Sequence, residues 1–128
     1  MGVLMLTTFP SAAMAYTVSE ENYDAAVEQL AMVAYQEAGG EGQWNQMAVC
    51  QVVLNRVDSP YYPNTIYEVL RQPYQFGRLC WDYSWASRSQ WAGEAPYVAQ
   101  CYDSARRVLA GEQVVPSTYM HTDGVTHY

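Results

Sequence analysis

Two apolar helical repeats, separated by a glycine-rich break, constrain this chain more than any other feature. Tyr23, Ala26, Val27, Leu30, Val33 and Ala34 recur at three- and four-residue spacing, which places them on one face of an α-helix. Ser19 stands where an N-cap belongs, with Glu20 and Glu21 in the first turn, where carboxylates meet the positive end of the helix dipole. Asn22 occupies the position at which a capping box needs Glu or Gln, so the box is absent. Gly39-Gly40 stops the helix. A second helix is predicted from about Gln43 to Val57, carrying Met47, Ala48, Cys50, Val53, Leu54 and Val57, and Asp58-Ser59-Pro60 ends it. Thr65 is placed to cap a short helix running through Leu70. A further helix begins near Pro96, runs through Val98, Cys101, Ala105, Val108 and Leu109, and stops at Gly111.

From Gln72 to Gly93 the helical period fails, and the residues are Gln, Ser, Trp and Tyr in quantity. That stretch reads as long loops with room for a short hairpin, and a loop of this length in a small domain usually has a function. Val114-Val115 reads as a short strand, and the tail from Pro116 to Tyr128 as irregular. The fold class expected is α+β, mostly helical, one domain with a small β portion and long aromatic-rich loops.

Charge narrows the partners. The chain of 128 residues has a formal net charge of −7, and its six cations are all Arg. A nucleic-acid binder needs a cationic stripe to displace counterions from phosphate, and Arg106-Arg107 is the one basic pair. An acidic surface also disfavours attachment to anionic membranes. Met1 to Phe9 is short and mostly apolar, and Ala13-Met14-Ala15 offers a small-residue cleavage pattern before Tyr16. Residues 1–15 therefore read as a leader without its cationic start, and 16–128 as the functional domain of a secreted protein. The apolar run is too short to span a bilayer, so no membrane insertion is expected once the leader is removed.

Of the three cysteines, Cys50 sits in an apolar run and reads as a small buried hydrophobe, which leaves Cys80–Cys101 as the pair to test for a disulfide. No zinc spacing exists, since there is no CxxC and both His lie near the C-terminus. No metal and no cofactor is expected.

Glu37 is the residue that needs explaining. It follows Leu30 by seven, Val33 by four and Ala34 by three, which puts its carboxyl on the apolar face of the first helix. A carboxylate buried on such a face must be paired or take a proton. A carboxylic acid held protonated is what cleavage of a glycosidic bond requires, because the leaving oxygen leaves poorly until protonated. The competing reading is a Glu at a helix end that bends to solvent or pairs with Arg56, and on spacing alone it is the more common outcome. Glu41, four residues on, is either a second carboxylate in the same cleft or a turn residue.

Glu37-Ala38-Gly39-Gly40-Glu41, Gln46, Ala48-Val49, Val52-Val53-Leu54-Asn55-Arg56-Val57, Pro63, Thr65, Val69 and Gln75-Phe76 resemble the SleB/CwlJ cell-wall hydrolase family, which includes the spore cortex-lytic enzymes. The resemblance resumes at Ala105 to Gly111 and covers about two-thirds of the chain. It implies a lysozyme-like fold and lytic transglycosylase activity on the glycan strands of peptidoglycan, with Glu37 as the catalytic acid. Gln75 and Phe76 match a Gln-Phe pair that lines the cleft in that family. The alternative is that Phe76 is core and Gln75 a loop cap. Asn55 and Arg56 suit structural roles, as bracket and as carboxylate partner. Tyr62, Tyr74 and Trp81 lie among loop aromatics whose flat faces suit sugar rings, and His121 is a further candidate contact near the C-terminus.

The chain departs from the family pattern at Gly39 and Gly42, where Arg and Pro are common, and this points to a looser turn beside Glu37. A monomer is expected. Three rival functions remain: a hydrolytic muramidase or an amidase acting on the same polymer, a wall-binding module without catalysis, and a thiol enzyme using Cys50, which lacks a nearby His in sequence.

Overall fold

The computed structural model describes residues 20–73, 75–76 and 95–115. Four helices form in chain order: α1, Glu20–Ala38; α2, Gln43–Asp58; α3, Ile66–Leu70; and α4, Ala95–Leu109. The helices predicted from periodicity are therefore present. Ser19, the expected cap of α1, lies outside the described residues, as do the leader, the aromatic stretch 77–94 and the tail from Pro116.

Helix α2 is the centre of the structure. Twelve successive residues, Gln46 to Val57, are buried, the mark of a helix enclosed on all sides. Helices α1 and α4 pack on it and on each other, and α3 closes against α1 and α2. The core joins Leu30, Met32 and Val33 of α1, Val53 and Leu54 of α2, Val69 and Leu70 of α3, and Cys101, Ala105 and Val108 of α4. Helix α1 is buried beyond the predicted stripe, since Leu30 to Ala34 are all inaccessible, whereas Tyr23 at the start of that stripe faces solvent.

The helix ends follow local chemistry. Thr65 Oγ1 accepts a hydrogen bond from Glu68 N at 3.1 Å, which satisfies one of the donors that a helix start leaves open. Helix α4 closes with Glu112 N donating to Arg107 O and Gly111 N to Val108 O, and Gly111 has φ 108°. This is the double hydrogen-bond closure that requires a residue with positive φ, which glycine adopts at least cost.

The expected β portion is not found among the described residues, which contain helices and turns but no strand. The fold class α+β is thus corrected to helical for the described part. The reason is visible at Val114-Val115. Gln51 of α2 is fully buried, and its Oε1 accepts from Val114 N at 2.8 Å and Val115 N at 3.0 Å. Its Nε2 donates to Val115 O at 2.5 Å. One side-chain amide supplies the donor and the acceptor that a neighbouring strand would offer, so this pair, which forms a bend, has no need of a sheet.

The Cys80–Cys101 pairing is not supported. Cys101 is a free thiol, fully buried on α4, and Cys80 lies outside the described residues. Cys50 is likewise free and buried, with Sγ 3.5 Å from Leu30 O. Burial holds both thiols neutral: it pushes Cys101 up to about 12, and it pushes Cys50 above its ordinary range with a smaller contribution from the neighbouring Cys101. Both folded-state values lie above the unfolded one, so their contribution to stability is complete at neutral pH. It is lost as pH rises from about 9 towards 12. Alkaline titration of the thermal midpoint is expected to show this decline, and Cys50→Ala/Cys101→Ala to flatten it; a midpoint unchanged to pH 11 would refute the assignment. Thiol reagents should leave both residues unmodified in the native protein. This burial argues against a thiol enzyme using Cys50.

Candidate active site

Glu37 occupies the penultimate position of α1, and the chain reverses through Gly39 to Gly42 into α2. The Glu37 side chain is half-buried, and its Oε2 accepts a hydrogen bond from Gln36 Nε2 at 2.7 Å. Helix α1 fixes the origin of the side chain, and the Gln36 contact holds the carboxyl group. Glu41, beyond the turn, is exposed, and its backbone carbonyl accepts from Asn45 Nδ2 at 2.9 Å.

The turn is pinned rather than loose. Gly39 N donates to Tyr35 O at 2.9 Å, and a Cβ on Gly39 would stand 2.6 Å from that same carbonyl oxygen. Gly42 has φ 98° and ψ 160°, a region in effect reserved for glycine. The expected slackness of two glycines is corrected: each sits where a side chain or a fixed ring is refused. Gly39→Ala should lose about 1–3 kcal/mol through crowding, and Gly42→Pro a similar amount, because proline holds φ near −65°. Chemical denaturation measures both, and unchanged midpoints would contradict the geometry.

The residue that fixes this turn from beneath is Gln46, whose side chain is fully buried. Its Nε2 donates to Gly39 O at 3.2 Å and to Gln100 Oε1 at 2.8 Å. Its Oε1 accepts from Ser104 Oγ at 2.8 Å. Gln43 Nε2 adds a contact to Asp103 Oδ2 at 2.5 Å. A polar seam thus ties the start of α2 to the middle of α4 and holds the peptide two residues past Glu37. In the sequence Gln46 is marked only by its match to the family pattern. The signal that was available is a Gln in an apolar helical run, which has to find partners if it is buried.

A second cluster surrounds Arg56, which is 3 % exposed. Its Nη1 donates to Gln75 Oε1 at 3.1 Å. Its guanidinium carbon lies 5.0 Å from the Tyr62 ring centroid and 5.2 Å from that of Phe76, within cation–π range. Arg56 therefore organises the Gln75-Phe76 segment through an amide and two rings. Phe76 is buried in the core and Gln75 is exposed with its carbonyl oxygen engaged. Tyr62 is half-buried. Tyr74, Trp81 and His121 lie outside the described residues.

Trp44 was not singled out by sequence because it falls within a helix. It is 58 % exposed in the first turn of α2, at the same end of the bundle as Glu37. Among the described residues, no three His, Cys, Asp or Glu side chains group so as to hold a metal ion, and no helix is long and apolar enough to cross a membrane.

The helical domain carries the half-buried Glu37 carboxyl at the end of α1, beside the turn fastened by Gln46. The family comparison gives the specific affiliation: residues 40–128 match the Cell Wall Hydrolase family, and the chain belongs to it. The matched segment opens at Gly40, three residues beyond Glu37. The chain is similar to the spore cortex-lytic enzyme of Bacillus subtilis (strain 168), with 40 % identity over 50 residues, or 39 % of this chain and 16 % of that protein. It is also similar to the spore cortex-lytic enzyme of Halalkalibacterium halodurans, with 38 % identity over 53 residues, or 41 % of this chain and 16 % of the relative. The aligned part thus spans about one-sixth of the length of these relatives. No solved structure matches.

Proposed function

We propose that this domain cleaves the glycan strands of peptidoglycan outside the cell, as a lytic transglycosylase with Glu37 as its single catalytic group. The observation that carries the reading is the half-buried Glu37 carboxyl at the end of α1, beside a turn fastened by Gln46, in a chain of the Cell Wall Hydrolase family. In this mechanism the protonated carboxyl of Glu37 gives its proton to the oxygen linking MurNAc to GlcNAc as the C1–O bond breaks. The resulting carboxylate then takes the proton of the MurNAc C6 hydroxyl as that oxygen bonds to C1. The product is a 1,6-anhydro sugar, no water is consumed, and Glu37 returns to its starting state. One carboxyl serves both steps, so the scheme requires no second carboxylate as nucleophile.

Mass spectrometry of fragments released from purified sacculi tests the scheme. The anhydro product is expected, lighter by one water than the product of a hydrolytic muramidase. Hydrolysed ends would replace the transglycosylase reading with the muramidase, free stem peptides would point to an amidase, and binding without release would leave a wall-binding module.

A further inference from the structure

We infer that the cleft between the first half of α1 and the start of α3 is a second, non-catalytic carbohydrate site that takes the acetamido group of an N-acetylated sugar. The cleft has a volume of about 220 Å³. That is below the span of about 300–1,000 Å³ usual for a whole drug-sized ligand, so it suits one sugar or its side group. Ala25, Ala26 and Ile66 supply its apolar lining, with Asn22, Gln29, Thr65 and Tyr67 as its polar members.

Three observations select the ligand. First, none of the lining residues is charged, which favours a neutral group over a carboxylate or an ammonium. Second, Gln29 Oε1 is buried and has no hydrogen-bond partner. A buried acceptor left unsatisfied is costly, and the group it lacks is a donor. Third, the apolar lining of the cleft, Ala25, Ala26 and Ile66, is aliphatic. An acetamido group answers all three, because its N–H donates to Gln29 Oε1 once the side chain turns that buried oxygen into the cleft, while its methyl packs on Ala26 and Ile66. The rim is held in place, since the Arg71 guanidinium carbon lies 3.7 Å from the Tyr67 ring centroid, and the exposed Tyr67 presents a hydroxyl and an aromatic edge to the sugar ring.

Gln29 precedes Glu37 by eight residues on the same helix, about 12 Å along its axis. The cleft is therefore separate from the catalytic carboxyl and would hold an insoluble polymer by a second point, raising effective concentration at Glu37. The choice of sugar rests on the glycan reading above.

The test is a ¹⁵N NMR titration of the 128-residue chain with N-acetylglucosamine, and with glucose as the control. Amide shifts are expected at residues 22–29 and 65–67 with the first sugar and not with the second. Gln29→Leu should weaken that binding by about tenfold or more. Ala25→Trp, at an exposed position, fills the cleft without touching the core and should abolish it. No shifts in this region, equal shifts with glucose, or full binding by both variants would overturn the inference. Release of fragments from sacculi is measured in parallel. Fragments with a silent cleft would refute this site alone, whereas no fragments with a responsive cleft would refute the catalytic reading alone.

Discussion

Replacing Glu37 by Gln is expected to stop the release of glycan fragments from purified sacculi while leaving the fold intact. The substitution keeps the shape of the side chain and keeps a carbonyl oxygen able to accept the 2.7 Å hydrogen bond from Gln36. It removes the one group able to give and then take a proton. Positioned acid–base catalysis contributes about 10²–10⁴-fold, and here both proton transfers would be lost, so a fall of at least about 10³-fold is expected. Circular dichroism and thermal unfolding should match the parent, because the position is half-buried at a helix end and outside the tight core. A variant that still lyses sacculi at a tenth of the parental rate would remove Glu37 from the mechanism.

Gln46→Leu should produce the largest loss of stability and an indirect loss of activity. Leu fills a similar volume but offers neither donor nor acceptor. Gly39 O, Gln100 Oε1 and Ser104 Oγ would each lose the Gln46 amide at a buried seam. An unsatisfied buried polar group costs about 1–3 kcal/mol; with some relaxation toward water at the Gly39 end, a total of about 3 kcal/mol is expected. For a domain of this size the thermal midpoint should fall by roughly 10 °C. The turn after Glu37 would lose its tether, so kcat on sacculi should drop well beyond what the folded fraction explains, with KM little changed. Ser104→Ala, which removes only one of the three contacts, should fall between parent and Gln46→Leu. Unchanged unfolding in Gln46→Leu would show that the seam carries no weight.

The helices were legible because their causes are local. Apolar residues at three- and four-residue spacing, Thr65 before Ile66, and Gly111 after Leu109 act through contacts within a few residues, so the sequence displays them directly. The Val114-Val115 strand failed for the opposite reason. Two β-branched residues do favour extended backbone, but what satisfies that backbone is decided elsewhere, and Gln51, over sixty residues earlier, provides the satisfaction. The two glycines of the turn were misjudged in the same way. Composition suggests slack at Gly39 and Gly42, while the packed geometry gives Gly39 no room for a Cβ and holds Gly42 at φ 98°.

The site divides along the same line. Sequence by itself singled out Glu37 near the end of the first helix and, through the Glu37-to-Val57 pattern, marked the chain as a cell-wall hydrolase. It determined these things because helical register and residue identity are properties of short stretches of chain. Only the tertiary structure decided that Arg56 answers to Gln75, Tyr62 and Phe76, and that Gln46 binds the Glu37 turn to α4. Those pairings join residues 6 to 58 positions apart, and side-chain hydrogen bonds act over about 3 Å. Which partners come within that distance is fixed by how α1, α2 and α4 pack, and no local pattern records it.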